Sequence, residues 1–581
     1  MKNKPVLLLT LFIAALALIL VAWGRDPARL FAVLAVEADE ATAAPTPQLQ
    51  PDRHPAADMD ALDGATQAGA MTLASATALT ETANQAYLPI SFYKFTDYPA
   101  PHDTGFNCRY GIAAWMQLHV KPLAEFHAGW FLTFNTRSPQ AHWNVEYVPV
   151  VRIKQDRDEA GYRLPTVSVT PPLTDDGLGA LVDSQPGALW FVGNEPDRVY
   201  WQDDTMPDAY ARIYHDIYHF IKQRDPTAQV GIAGLVQVTP GRMQYLDIVW
   251  ETYLNTYGTT IPVDVWNMHL YILPEIKIDG SGSRAAVALG TDPALAILEN
   301  HTGKPDQCPR DDVYCYAEHD DMDIFRQQVL WMRTWMKEHG QQYKPLVLSE
   351  FSTLYPYEID NPNDPSQCFL KDENGECFTP ERVSRFMEDT FTYLETAADP
   401  ELGYPLDGNR LIQQWLWFAM DEGFAGSSNR LIDAQTQQMT MVGQNFSQAV
   451  AAIPRYVNLL PAQTINRVVT SPTGSLVPEI GVLLRNNGNL DLTDTDFTVT
   501  FYADPGLTAP IGSVVVPAIS GCARRAQLAS VPWSDAEPGV HYYWYKIDAL
   551  NQVTESDETD NTGAGMVIIQ PQQLFLPFAV R

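Results

Sequence analysis

The chain has 581 residues, more than a single hydrophobic core normally organises, so at least two domains are expected. Hydrophobic residues make up 46% and aromatic residues 11% of it, which is enough for globular domains and argues against a largely disordered chain. With 70 acidic and 38 basic residues the net charge is −32, which repels nucleic-acid phosphates and anionic lipids and argues against nucleic acid as a partner.

The first residues predict an export segment. Two lysines precede an apolar run from Val6 to Trp23 that only Thr10 interrupts, and a basic start before such a run marks the cytoplasmic side. Its length lies between those of a cleaved signal peptide and a membrane anchor. We therefore expect residues 1–24 to be a signal peptide or a membrane-contacting anchor, with an uncleaved anchor slightly favoured. Residues 25–86, rich in Ala, Thr, Asp and Pro, predict a disordered linker.

Between residues 87 and 460, short apolar strands alternate with helical stretches, as in an α/β domain with a parallel sheet. Helices are predicted at 206–224, 323–339 and 443–459. Strands are predicted at 110–116, 128–134, 147–153, 189–193, 229–235, 263–269, 346–350 and 411–418. Eight strands with intervening helices predict a (β/α)₈ TIM barrel, with its insertions after the sixth and seventh strands.

Beyond residue 460 the composition changes to alternating β-type runs divided by turns, at 476–480, 497–501, 514–516 and 541–547. These predict a C-terminal all-β, immunoglobulin-like sandwich at 465–570, followed by a tail at 571–581. The run from Val553 to Asn561 resembles the end of the cell-adhesion-related module of bacterial surface proteins. A solvated turn is favoured over a calcium site for its acidic residues, because the spacing of an EF-hand is missing.

Six cysteines in an exported chain predict disulfides. Two closely spaced pairs, Cys308 with Cys315 and Cys368 with Cys377, are expected to form local bridges. This assignment leaves Cys108 and Cys522 without an assigned partner.

No metal and no cofactor are predicted. The sequence has no Cys-x-x-Cys motif, and the pair His215 and His219 has Asp216 where the zinc-protease motif has a glutamate. The two histidines are therefore more typical of a helix surface.

Two of the predicted barrel strands end on a glutamate. The fourth runs into Asn194-Glu195, and the seventh ends at Glu350. Because the carboxyl ends of barrel strands meet at one rim, the two glutamates are expected to share a pocket. Paired carboxylates are the equipment of glycoside hydrolysis, and a separation of about 5–5.5 Å is typical of retention. Burial and the charge of the partner are expected to raise the pKa of Glu195.

On these residues, the segment 87–460 resembles the retaining (β/α)₈ glycosidases of glycoside hydrolase clan A. The resemblance implies that Glu195 is the acid/base and Glu350 the nucleophile. It also implies that Asn194 binds the 2-hydroxyl of the sugar.

Further positions match the same clan. His269-Leu270-Tyr271 fits a His-x-Tyr motif, which implies that His269 and Tyr271 lie beside the substrate and that Tyr271 orients the nucleophile. Trp417 fits the tryptophan that floors the subsite of the cleaved sugar. One position departs, because many members carry an arginine at the end of the second strand, where this chain offers Asn135 or a displaced Arg137.

Together these signals predict an exported, monomeric β-glycosidase, membrane-anchored or secreted, that hydrolyses a β-linked oligo- or polysaccharide with retention. Two alternatives stay open. One is a transglycosidase that remodels a surface polysaccharide with the same residues, and the other is a non-catalytic glycan-binding or adhesion protein.

Overall fold

The computed structural model describes residues 105–114, 123–136, 145–198, 202–273, 275, 291–297, 319–353, 372, 376–421, 428–433, 436–470, 476–493 and 495–569. The predicted export segment, the linker and the C-terminal tail lie outside these residues. In the ranges given, no helix is both long enough and apolar enough to span a membrane.

The first part of the described chain is an α/β unit. Its strands are β1 (Asn107–Ala113), β2 (Ala128–Leu132), β3 (Glu146–Tyr147), β4 (Val150–Arg157), β5 (Arg163–Thr170), β6 (Leu189–Val192), β7 (Gln229–Ile232), β8 (Trp266–Leu270), β9 (Leu346–Phe351) and β10 (Gln414–Trp417). Its helices are α1 (Ala180–Ser184), α2 (Pro207–Arg224), α3 (Pro240–Tyr257), α4 (Met322–Glu338), α5 (Pro380–Thr396) and α6 (Met441–Ala452).

These strands form two sheets. The larger has the order β3-β2-β1-β10-β9-β8 with parallel pairing throughout. The smaller has the order β5-β4-β6-β7, parallel except for the antiparallel pair β4 and β5. A parallel bridge between Gly231 and Val265 links β7 to the residue before β8.

Helices cover the outer faces of the parallel strands. On β10, Trp415 and Trp417 belong to a core cluster that also contains Phe391 of α5 and Phe446 of α6. Leu416, between them, belongs to a separate cluster built from strand residues and the turns that follow them. This alternation follows from the period of two along a strand, and it gives the parallel strands a buried side chain on each face.

Local signals set the helix limits. Helix α3 begins with Pro240 after Thr239 and ends at Gly258, whose φ of +71° is a left-handed conformation that glycine adopts without strain. Asp321 caps α4 by accepting hydrogen bonds from the backbone N–H groups of Asp323 and Ile324.

The second part contains β11 (Leu459–Thr470), β12 (Leu476–Asn486), β13 (Phe497–Tyr502), β14 (Pro510–Val516), β15 (Gln527–Pro532), β16 (Gly539–Lys546) and β17 (Thr562–Ile569). They form two antiparallel sheets, β11-β12-β15 and β14-β13-β16-β17. Inward side chains of both sheets, such as Val482 of β12 and Phe501 of β13, share one core cluster, as in a β-sandwich.

A loop of the sandwich, residues 521–525, contacts the amino ends of the parallel strands. Cys522 forms a disulfide with Cys108 of β1. Arg524 contacts Glu146 at the start of β3, and its Nη1 lies 3.0 Å from Oε1 of Gln229 at the start of β7. All described residues belong to one compact unit.

The disulfide corrects the sequence-based assignment, which left Cys108 and Cys522 over. They are 414 positions apart, and sequence spacing gives no signal for such a bridge. Cys377 is also disulfide-bonded. Cys308, Cys315 and Cys368 lie outside the described residues, so the two local bridges remain predictions.

Each of the eight predicted strands of the α/β unit overlaps an observed strand. The sequence did not predict β5, which forms a hairpin with β4. The helix predicted to reach residue 459 ends at Ala452, because Pro454 follows closely and a proline disfavours helical backbone at the residue before it.

Candidate active site

Glu195 lies in the turn that follows β6, and its side chain is buried. The backbone enters this turn through Gly193 at φ +89°, and Glu195 itself has φ +45°, an uncommon conformation for a residue with a side chain. The N–H of Glu195 donates to the carbonyl of Gly234, at 3.1 Å. These contacts direct a carboxylate to the carboxyl end of β6, as the sequence predicted.

Glu350 lies near the end of β9 and is also buried. The hydroxyl of Tyr271, just beyond β8, donates a hydrogen bond to Oε1 of Glu350 at 2.6 Å. A hydroxyl donated to a carboxylate stabilises its charged form and fixes its orientation.

His269 lies between the two carboxylates. Its Nδ1 is 3.2 Å from Oε1 of Glu195 and 3.6 Å from Oε2 of Glu350. One oxygen of each glutamate and one ring nitrogen of the histidine all lie within 4.8 Å of one another. The ring fits because residue 234 is a glycine, since a Cβ there would be 2.2 Å from Cδ2 of His269.

Arg198 is a further buried member of the site that the sequence did not predict. Its Nη1 lies 3.2 Å from Oε2 of Glu195. Only its position three residues after the glutamate could have indicated this contact. The spacing of Glu195, His269 and Glu350 would also suit the ligands of a metal ion, but the guanidinium of Arg198 places a fixed positive charge beside the same carboxylate, which opposes a bound cation.

The pKa values of the two glutamates are displaced in opposite directions. Burial by itself would raise the pKa of Glu195, but the hydrogen bond with His269 and the charge of Arg198 outweigh it and lower the pKa. Burial raises the pKa of Glu350, and the charge of Glu195 raises it further, against the opposing effects of His269 and Tyr271. The direction for Glu195 is therefore opposite to the expected one, because the cations lie closer to it than to Glu350.

The pKa of His269 is raised. Burial would lower it, but the charge of Glu350 and the hydrogen bond with Glu195 favour the imidazolium more strongly. The three groups therefore compete for protons as one buried cluster.

Asn194 is buried beside Glu195, and its backbone N–H donates to Oδ2 of Asp203 at 2.7 Å. Its side-chain Nδ2 donates to Oε1 of Gln202 at 3.3 Å. Arg152 of β4 contacts both residues 202 and 203, so a polar network holds Asn194 in place at the rim.

Trp417 does not join this group. Its ring is completely buried in the core between strands and helices, 5.4 Å from the ring of Phe351, and its Nε1 donates to the carbonyl of Asn429. No ring face is left for a sugar, so the interpretation of Trp417 as a sugar platform is corrected. The next residue, Phe418, is half-buried on the other face, 5.9 Å from the ring of Phe134.

Many members of the clan carry an arginine at the end of the second strand. At this place in the chain, the backbone carbonyl of Asn135 accepts a hydrogen bond from the hydroxyl of Tyr147, at 2.7 Å. Arg137 lies outside the described residues. The pair His215 and His219 lies on α2, where the ring of His215 stacks on Tyr257 at 3.7 Å.

Comparison with known proteins gives one family match: the family model described as CARDB matches residues 461–564. This supports the resemblance that the sequence of the sandwich indicated. A search of curated proteins finds no match to the chain.

Among the solved structures that are similar to parts of the chain are a glucanase, a glucosidase and a CARDB domain. An endo-β-1,3-glucanase of family GH128 (subgroup II) from Pseudomonas viridiflava aligns at 15% identity with a TM-score of 0.35, over 60% of this chain and 98% of its own. A glucosidase from Croceicoccus marinus aligns at 12% identity with a TM-score of 0.36, over 74% and 94%. The CARDB domain of a Pyrococcus furiosus protein in complex with di-metal ions aligns at 15% identity with a TM-score of 0.16, over 20% and 96%.

Proposed function

We propose that the protein is a retaining β-glycosidase that hydrolyses a β-linked glycan, with Glu350 as the nucleophile and Glu195 as the acid/base. The observation that carries this proposal is the pair of buried strand-end carboxylates with an oxygen of each within 4.8 Å of the other. Retaining enzymes hold their carboxyl groups about 5–5.5 Å apart, whereas inverting enzymes leave about 6.5–9.5 Å for a water molecule.

The strand pairings support a closed (β/α)₈ barrel as the scaffold. β3 lies at the edge of the larger sheet and β4 belongs to the smaller one. Only residues 148 and 149 separate these two strands, so the chain passes directly from one sheet to the other. At the other side, the bridge from Gly231 to Val265 joins β7 to β8. A closed ring of parallel strands places Glu195 and Glu350 on one rim, where barrel enzymes have their active sites.

In the first step, an oxygen of Glu350 bonds to the anomeric carbon while the bond from that carbon to the leaving oxygen breaks. Glu195 transfers its proton to the leaving oxygen. A water molecule then attacks the glycosyl-enzyme, losing a proton to Glu195 and releasing Glu350 as a carboxylate. The hydrogen bond from Tyr271 favours the charged, attacking form of Glu350.

The displaced pKa values are compatible with this sequence of steps. The cluster favours a proton on Glu350 and on His269, and the reactive state needs the same number of protons with one on Glu195 in place of Glu350. Nδ1 of His269 faces both carboxylates, so it can give its proton to Glu195 and then take up the proton of Glu350. Positive charge that develops on a sugar beside Glu350 favours this redistribution.

Export to an oxidising compartment is part of the proposal. The disulfide between Cys108 and Cys522 is of the kind that persists outside the cytosol, and the apolar run after Lys4 supplies an export segment. On this proposal the sandwich holds the barrel at a surface or near its glycan.

The test is hydrolysis of a panel of β-linked oligosaccharides by the full chain. Glu195→Gln and Glu350→Gln should each reduce kcat by at least about 10³-fold, whereas Glu338→Gln on the exposed end of α4 should keep parental activity. With azide, Glu350→Ala should form an α-glycosyl azide, because azide takes the place of the missing nucleophile. Glu195→Ala should form a β-glycosyl azide, because azide attacks the glycosyl-enzyme in place of water.

Two results would contradict the assignment: parental turnover in both glutamine variants, or a first-formed product of inverted configuration. Products longer than the substrate would favour the transglycosidase. Binding of glycans by the parent without any turnover would favour the adhesion protein.

A further inference from the structure

Three fully buried charges, Asp197, Arg242 and Glu275, form a chain beside the catalytic loops. Arg242 lies in the first turn of α3, and its guanidinium reaches in two directions. Nη1 donates to Oδ2 of Asp197, and Nε donates to Oε1 of Glu275 at 2.7 Å. Burying three charges is costly unless each is paired, so the burial of both carboxylates depends on their contacts with Arg242.

At one end of the chain lies the loop of the acid/base. Asp197 follows Glu195 by two residues, and its carboxylate also accepts the backbone N–H of Val236, at 3.3 and 3.4 Å. The contact of Arg242 with Asp197 therefore adds a second attachment to the turn that carries Glu195, besides the hydrogen bond from Glu195 to Gly234.

At the other end lies the loop that carries Tyr271. Oε1 of Glu275 also accepts hydrogen bonds from Thr239, at 2.6 Å, and from Gln237, at 2.9 Å. Gln237 in turn exchanges two hydrogen bonds with the backbone of Leu273, two residues after Tyr271. Glu275 is thus connected to the segment that places the tyrosine hydroxyl on Glu350.

We propose that Arg242 is a positioning residue that ties the loop of the acid/base to the loop of the tyrosine, and so sets the distance between the two catalytic carboxylates. The inference rests on the proposed glycosidase function and extends it to a residue that contacts no substrate. A lysine cannot replace it fully, because one ammonium cannot present the rigid fork of donors that reaches both carboxylates.

Arg242 also contributes to the charge environment of Glu195. The groups that face Glu195 are His269 of β8, Glu350 of β9, Arg198 and Asp197 of its own loop, and Arg242 of α3. Loss of the positive charge at residue 242 removes one of the effects that lower the pKa of Glu195. The alkaline limit of kcat/KM, where the cluster of Glu195, His269 and Glu350 loses a proton that the reaction needs, should then move to higher pH.

The test compares Arg242→Met and Arg242→Lys with matched changes at Arg333. Arg333 of α4 is also fully buried, but it donates to Gln413 and to backbone carbonyls at the amino ends of β9 and β10. We expect a lower melting temperature in all four variants. Both changes at residue 242 should reduce kcat by about 10–100-fold with KM within about twofold, whereas those at residue 333 should leave kcat within about twofold.

The alkaline limb supplies the second measurement. It should move to higher pH in Arg242→Met, stay at the parental pH in Arg242→Lys, and stay in both variants of residue 333. If Arg242→Met does not fold, the loss of kcat in Arg242→Lys relative to Arg333→Lys decides. Equal losses at the two positions, or an unmoved limb in Arg242→Met, would overturn the inference while leaving the glycosidase intact. Parental turnover in the glutamine variants of the two catalytic carboxylates would instead overturn the function, and the inference with it.

Discussion

Gly234→Ala should reduce catalysis by moving a single ring. A Cβ at residue 234 would lie 2.2 Å from Cδ2 and 2.5 Å from Nε2 of His269, whereas ordinary contacts begin at 3.4 Å. The ring must therefore withdraw by about 1.2 Å, the difference between 3.4 and 2.2 Å, unless the backbone shifts instead. A shift of that size changes the distances from Nδ1 to Glu195 and Glu350, which are 3.2 and 3.6 Å. A displacement of about 1 Å in a catalytic site costs roughly 10²-fold in rate, or about 2.7 kcal/mol of barrier height.

The matched control is Gly231→Ala, in the strand that leads to Gly234. The three atoms nearest to a Cβ there belong to Phe191, at 2.6 and 2.7 Å, and to the carbonyl of Val265, at 3.1 Å, and none belongs to the site. Both variants should lose about 1–3 kcal/mol of unfolding free energy from overpacking. Steady-state kinetics at a temperature well below both melting transitions should then show the large loss of kcat only for Gly234→Ala. Equal kcat in the two variants would refute the reasoning that the position of His269 governs the reaction.

Tyr271→Phe removes the hydroxyl that stabilises charged Glu350, so kcat should fall about 10–100-fold. The loss also raises the pKa of Glu350, so the alkaline limb of kcat/KM, where the cluster releases that proton, should move to higher pH; an unmoved limb would contradict this role. Cys108→Ser with Cys522→Ser should lower the free energy of unfolding by about 2–5 kcal/mol in denaturant titrations, with kcat unchanged, because the bridge lies at the amino ends of the strands. Burial would raise the pKa of Glu146, but two arginines of the sandwich lower it below its ordinary 4.5. The stabilisation is therefore complete above pH 4.5 and is lost as pH falls towards the lowered pKa, and Glu146→Gln should flatten this part of a melting profile measured between about pH 6 and 3.

The alternation of strands and helices, the C-terminal sandwich and the central pair of carboxylates could be predicted because their signals are local. Short apolar runs that end on Asn194-Glu195 and on Glu350 need only the rule that parallel strands end at one edge. Their neighbours His269 and Tyr271 were found through a motif two residues apart on one strand end. The structure brings these side chains together, although their roles in catalysis remain proposals.

Other features depend on three-dimensional context that a sequence pattern does not contain. Trp417 and Phe418 are adjacent aromatic residues whose side chains lie on opposite faces of the sheet. Only the orientation of β10 decides which of the two packs against the helices. Arg198 contacts Glu195 from three residues further along a turn in which Glu195 has a positive φ, and no composition signal indicates such a turn. Which of the two glutamates has the lowered pKa depends on the distances from each carboxylate to His269 and Arg198, and strand prediction cannot give these distances.

The contact of the loop at residues 521–525 with the amino ends of β1, β3 and β7 has a consequence for how such a chain can be rearranged. A C-terminal module on a flexible connector can be exchanged between genes or removed without harm to its neighbour. Here the disulfide of Cys522 and the ion pairs of Arg524 and Arg525 with Glu146 cover the amino ends of these strands, so a truncation before residue 459 would expose Cys108 and leave Glu146 without these partners. We therefore expect the α/β unit produced without the sandwich to be less stable than the joined chain.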